Sequence, residues 1–365
     1  MRCAELPAAA RTEVPVMSAK RWCLLSLRLL IALCLLTVAL VALVDPFEIY
    51  HRALFYTPAY DSRTQMYNNA GIARHHEYDS VILGSSVTEN CMPSDYDAAL
   101  GGRFVKLCMN GGMALDHAKM MDMAFATHDV RRVVYGLDLF AYWQYYTIQR
   151  SATPDYLYDG NPLNDAPYWF NKSVLLTYVP DALTRVGPYR EQMRDWMYFW
   201  EPPQTDESAL LARVDLTSPP PEQTDGEASC ALAQGNLDHN LLPYIRAHRE
   251  TVFTVFFPPY SLLYWADQAR GGTFEACLAQ KALIARALLA EPNVELFDFQ
   301  TAFEWTGDFS LYSDLIHYHA FVNADMALRM ASGDCRVRTQ EEMEQNARAL
   351  REAVYALFPQ ERSDP

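Results

Sequence analysis

Ser85 and Ser86 follow a short apolar run, Ser80-Val-Ile-Leu83, across Gly84, and far downstream an aspartate and a histidine stand three apart in Asp314-Leu-Ile-His317. A serine hydroxyl becomes a nucleophile when a base lies within hydrogen-bond reach, and an imidazole serves as that base when a carboxylate fixes its tautomer. Ser86, His317 and Asp314 are therefore the candidate nucleophile, base and orienting group for acyl transfer. Such chemistry also needs backbone N–H groups aimed at the developing oxyanion, and glycine lets backbone approach a substrate closely. Gly112, in Asn110-Gly111-Gly112, is the candidate donor beside the Ser86 N–H, with Gly111 in reserve. Gly136-Leu137-Asp138 adds a carboxylate, which accepts hydrogen bonds and repels an oxyanion when ionised. Plainer readings exist for each: the serine pair as a helix N-cap, His317 as a packing histidine, Asp138 as a loop or capping residue.

For these groups to meet, the chain must place them at one edge of a sheet. Val81-Ile-Leu83 is a short apolar run bounded by polar residues, as a buried parallel strand requires. Four more strands are expected at Phe104–Cys108, Arg132–Tyr135, Thr251–Phe257 and Val294–Phe297. Helical spacing fills the gaps at Pro93–Leu100, Ala114–Thr127, Ala231–Arg249, Phe274–Leu289, Val322–Met330 and Thr339–Leu357. Alternating strands and helices predict an α/β fold with a five-stranded parallel sheet, helices on its faces, and ligand sites beyond the C-terminal strand ends. Every polar motif named above follows a predicted strand.

Between residues 142 and 230 the alternation breaks. Tyr142-Trp-Gln-Tyr-Tyr146 and Tyr168-Trp-Phe170 belong to an aromatic-rich insertion over one end of the sheet, with a lid as one use for it. Glu201–Ser229, with Pro202, Pro203 and Pro219-Pro-Pro221, reads as a solvated, poorly ordered loop. Pro258-Pro-Tyr-Ser261 reads as a rigid turn after the fourth strand.

Leu24–Val44 is apolar apart from Ser26, Arg28 and Thr37, long enough at about 1.5 Å per residue to cross a hydrocarbon core of about 30 Å. A net positive N-terminal side (Arg2, Arg11, Lys20, Arg21 and Arg28 against Glu5 and Glu13) keeps that end cytoplasmic by the positive-inside rule. The organisation expected is a cytoplasmic tail (1–23), a single-pass membrane helix (24–44), a juxtamembrane connector (45–73) and an extracytoplasmic domain (74–365). A cleaved signal peptide is the competing reading. The formal net charge of −15 disfavours nucleic acid as a partner. Of eight cysteines, Cys91, Cys108, Cys230, Cys277 and Cys335 lie beyond the apolar segment, allowing at most two disulfides there. No Cys/His spacing suggests a metal, and no cofactor is called for.

Gly84-Ser85-Ser86-Val87 resembles the Gly-Asp-Ser-Leu motif of the SGNH/GDSL hydrolase superfamily, with Ser86 at the nucleophile and Ser85 at the usual aspartate. Asn110-Gly111-Gly112 is similar to its second block, and Asp314-Leu-Ile-His317 reproduces the Asp-x-x-His of its last. The third block departs: where the superfamily has Gly-x-Asn-Asp, this chain has Gly136-Leu137-Asp138, which places a carboxylate where an oxyanion donor is usual. One membrane span ahead of a Gly-Ser-Ser form is similar to the envelope branch, which includes teichoic acid D-alanylation and alginate O-acetylation proteins. The resemblance implies a three-layer, flavodoxin-like domain that hydrolyses or transfers acyl groups on a cell-envelope polysaccharide or related ester, with a membrane acyl-donor protein as a conceivable partner. The alternative, which Asp138 motivates, is a catalytically weak or inactive binding or scaffold subunit of an envelope-modification complex that keeps the same fold.

Overall fold

Strands form where the apolar runs are shortest and most continuous: β1 Ser80–Leu83, β2 Phe104–Lys106, β3 Arg132–Gly136, β4 Val252–Phe257, β5 Val294–Asp298 and β6 Arg336–Val337. The computed structural model describes residues 17–359 except 151, 152, 189, 191 and 204; the remainder of the expected tail, with Cys3, and residues 360–365 lie outside the described residues. The sheet order is β2-β1-β3-β4-β5-β6, parallel from β2 to β5. The expected count of five is thus corrected to six, because Arg336 and Val337 pair antiparallel with Phe297 and Leu296 at the far edge. Two residues carry too little pattern to announce a strand.

The order 2-1-3-4-5 reverses direction between β1 and β3, which opens a crevice at their C-terminal ends. Because parallel crossovers share one hand, the β1-to-β2 helix (Pro93–Leu100) and the β2-to-β3 helix (Ala114–Thr127) fall on opposite faces. Pro93–Leu100 packs with Ala320–Ser332, while Phe274–Leu289 packs with Glu227–Asn236 and Gln340–Tyr355. Between these layers β1 is buried at every position, as its unbroken apolar run requires. A helix at Leu262–Arg270, capped by Ser261 Oγ on the Tyr264 N–H, was not expected from the pattern.

Three stretches differ from expectation. The N-terminal helix runs Ala19–Val44 and is long and apolar enough to cross a membrane; helical geometry simply continues through Lys20 and Arg21, where hydropathy ends. The connector, expected to be irregular, contains the helix Gln65–His75 and is largely core. Gly71 lets the chain pass there, since a Cβ would lie 2.2 Å from the Phe47 carbonyl oxygen. The proline-rich loop is held rather than loose: Arg270 donates to the carbonyls of Asp215, Ser218 and Pro219, and Leu210 and Val214 are buried. Elsewhere in the insertion, expected to pack over one end of the sheet, Arg194 donates to the Phe104 carbonyl and to Asp97, and Tyr198 donates to Asn69. All seven cysteines among the described residues are unpaired.

Strand β5 is anchored by a buried ion pair. Lys281 Nζ lies 2.8 Å from both Asp298 carboxylate oxygens and 2.6 Å from Gln300 Oε1, and Asn346 Nδ2 donates to the same carboxylate. Burial works against the ammonium and lowers its pKa, with the Asp298 charge opposing that shift. Removing one partner strands a buried charge. Lys281→Ala is expected to destabilise the domain by about 3–5 kcal/mol, read by denaturant unfolding, whereas Lys281→Met with Asp298→Leu together should recover most of the loss.

Candidate functional site

Gly84 ends β1 at φ +142°, where a Cβ would strike the Thr88 side chain at 2.7 Å and the Gly136 carbonyl oxygen at 3.0 Å. Gly136, ending β3, faces the same methyl, with a Cβ only 2.6 Å from Thr88 Cγ2. Two bare strand ends therefore let the short helix Ser86–Thr88 fold directly onto the crevice, and Thr88 fastens it by bonding its hydroxyl to the Ser85 carbonyl at 2.8 Å. The turn presents Ser86.

The base arrives on a hairpin. Tyr312 and Tyr318 pair as an antiparallel bridge, and Ser313 N–H donates to the His317 carbonyl at 2.9 Å. Asp314 Oδ1 accepts the N–H groups of Ile316 (2.9 Å) and His317 (2.8 Å), which curls the loop and leaves Oδ2 facing the ring. Asp314 Oδ2 lies 2.6 Å from His317 Nδ1, and His317 Nε2 lies 2.7 Å from Ser86 Oγ, across 231 residues of sequence. Burial tends to raise the Asp314 pKa, but the His317 contact and the two amides hold it below the ordinary carboxylate value. An ionised Asp314 fixes the proton on Nδ1 and leaves Nε2 to accept from Ser86.

The remaining predicted residues divide. Gly112 N–H donates to the Met109 carbonyl at 2.7 Å, so the expected oxyanion donor is already engaged in a turn. A Cβ at Gly112 would meet His117 Nε2 at 2.7 Å, which makes its small size a packing requirement. Gly111, at φ +59°, and Ser86 give their N–H groups to no backbone partner among the described residues. Asn110 is exposed, and its N–H donates to Gln65 Oε1 at 2.6 Å. Ser85 is buried beneath the turn.

Asp138 is fully buried, with the Tyr260 hydroxyl donating to Oδ1. Burial pushes its pKa up to about 6, against the pull of Tyr260, Ser85 and the nearby His317. Tyr260 comes from the Pro258-Pro-Tyr-Ser turn, which the sequence suggests as a rigid turn with its tyrosine at the cleft.

Three neighbours lay outside the motifs marked in the sequence. Trp200 meets the His317 ring edge-on at 5.2 Å between centroids, shielding one side of the imidazole. Glu201 lies near His319, with Oε1 3.7 Å from Nδ1. Glu89, three residues past Ser86, is fully buried, accepts from Gln65 Nε2 at 2.7 Å, and is pushed up to about 7 by burial. Its position on the serine turn was the one available clue.

No protein-family model matches the chain, and no curated protein matches it. Among solved structures, a Streptococcus pneumonia protein provisionally described as a platelet activating factor is similar at 11% identity and a TM-score of 0.39, covering 75% of this chain and 92% of that one. A likeness that distant carries no argument about the site.

Asp138 gives a test. Its folded pKa of about 6 lies above the ordinary aspartate value of 3.8, so the folded state binds the proton more tightly than the unfolded chain. By linkage the destabilisation is constant above about pH 6, shrinks as pH falls toward about 4, and vanishes below. Asp138→Asn should therefore raise thermal stability at pH 7.5 by up to about 3 kcal/mol, with the gain fading in scans at acid pH.

Proposed function

We propose that this protein is a serine acyl-ester hydrolase or O-acyltransferase of the SGNH type, held to a membrane by its N-terminal helix. The observation that carries the reading is the continuous chain from Ser86 Oγ through His317 to Asp314, with contacts of 2.7 and 2.6 Å at the crevice between β1 and β3. Ser86 Oγ attacks the acyl carbon while His317 Nε2 takes its proton; the same proton then leaves with the departing alcohol, giving acyl-Ser86. Water or a sugar hydroxyl, deprotonated in turn by His317, takes the acyl group and restores the serine. The N–H groups of Ser86 and Gly111 are the donors proposed for the oxyanion, in place of Gly112.

The acceptor class is a cell-envelope glycan or related ester, as the envelope resemblance implies, with an acyl donor supplied at the membrane. The basic N-terminal flank supports a domain that lies outside the cytoplasm. An anchor is favoured over a cleaved signal because the helix end is built into the domain. Val41 and Val44 are buried, and the Tyr56 hydroxyl donates to the Asp45 carbonyl at 2.7 Å.

Asp138 favours a second reading, a weak or inactive binding subunit, because above about pH 6 an ionised carboxylate replaces a neutral donor near the place where charge develops. Losing one such donor slows acyl transfer about a hundred- to a thousandfold. A fluorophosphonate probe on the detergent-solubilised full chain separates the readings. Labelling that vanishes in Ser86→Ala and falls about 10²- to 10⁴-fold in rate in Asp314→Asn fits the triad; an intact wild-type protein that stays unlabelled is the binding subunit.

A further inference from the structure

The helix Ala19–Val44 has a polar start and a packed end. Lys20 and Arg21 belong at one headgroup layer, and about 20 residues at roughly 1.5 Å each cross the hydrocarbon, so the second boundary falls near Ala42. At that level the helix stops being bare: Val41 and Val44 are buried, and the elements packed against it are Ala166–Trp169 and Val179–Thr184 of the insertion. The insertion therefore meets the span at the bilayer surface rather than above it.

Its structure there has two unlike faces. From Val174 to Thr184 the chain forms a π turn running into an α-helix, and Val174, Val179 and Ala182 pack inward. Pointing out are Leu176 (68% exposed), Leu183 (45%) and, just before the turn, Phe170 (48%), interspersed with exposed Thr177, Thr184 and Asp181, the last paired with Arg185 at 2.7 Å. Val186 (75% exposed) extends the patch, and the Tyr56–Val186 bridge with Gly187 N–H on the Phe55 carbonyl sets Leu54 (63%) beside it. Aromatic rings with polar tips fill the junction: Trp169 Nε1 donates to the Tyr50 hydroxyl at 2.7 Å, and Tyr168 donates to Asp45. Exposed Lys172 lies beside Phe170. Apolar residues outward, amphipathic rings at the seam and a basic residue at the rim are what an interfacial segment needs.

We propose that Phe170–Val186, with Leu54, is a membrane-interface foot that lies in the outer headgroup layer and fixes the domain's orientation on the bilayer. The proposal rests on Ala19–Val44 being a membrane span. The elements that carry Phe170 and Leu183 pack against that span, which selects lipid over a second copy of the chain as the patch's occupant. A foot of this kind gives the domain two attachments instead of one, so the crevice at Ser86 keeps a set height and tilt above the surface.

Full-length protein in nanodiscs of phosphatidylcholine and phosphatidylglycerol, carrying photoreactive benzoyl-phenylalanine at one position each, tests this. Leu30, at mid-span, reports the span; Leu176 and Leu183 report the foot; Leu328, exposed on the helix packed against Pro93–Leu100, is the control. After illumination, mass spectrometry should find lipid adducts at 176 and 183 within about threefold of Leu30 and at least about tenfold above Leu328. Lipid at Leu30 with none at 176 and 183 overturns the foot alone, and crosslinks there to a second protein copy overturn it in favour of self-association. Absence of lipid at Leu30 overturns the span itself, and the foot with it.

Discussion

The site depends on a few side-chain bonds that tie one hairpin to one turn. Tyr312 donates to the Pro259 carbonyl at 2.6 Å, and Ser261 donates to the Leu315 carbonyl through its hydroxyl at 2.7 Å. Thr205 adds a third tie, to Ser313, at 2.7 Å. Prolines at 258 and 259 suit this place because their fixed φ holds the turn rigid while their carbonyls stay available. Loss of these ties would free an imidazole that reaches Ser86 only through long-range folding, and a displacement of about 1 Å is enough to slow a positioned reaction by two orders of magnitude.

Beneath the serine turn the crevice floor is polar and closed to water. Asp138 and Glu89 are both buried and both raised, to about 6 and about 7, so the charge buried beneath the Ser86 turn changes between about pH 6 and pH 7. Lys106, pushed down to about 8 by burial, donates to the Glu89 carbonyl at 2.7 Å and to the Asp195 carbonyl at 2.9 Å. That one ammonium joins the end of the Ser86 turn to the insertion. The insertion is thus structural at both ends, seated near the site through Trp200 and against the N-terminal helix through Ala166–Trp169 and Val179–Thr184.

Much of the frame was legible because burial writes itself into short windows. Short apolar and β-branched segments marked all five parallel strands to within two residues, and an Asp-x-x-His spacing is readable because its Asx-type curl is local. Other features had no local mark. The connector looked irregular because Gln65, Asn68 and Asn69 are polar yet buried; Gln65 donates to Glu89 and Asn69 to the Cys108 carbonyl, both distant in sequence. Gly112 looked like a donor, but whether an N–H is free depends on how the turn closes on Met109.

What the sequence determined by itself is the alternation of strand and helix, the apolar N-terminal helix and the identity of three residues capable of a relay, since each follows from residue type and near-neighbour spacing. The tertiary structure alone decided that Ser86 and His317 come within 2.7 Å, that Asp138 is closed in under Tyr260, and that Trp200 flanks the ring. Those facts belong to contacts between chain segments separated by tens to hundreds of residues. They are fixed by strand order and by side-chain bonds whose partners no local pattern names.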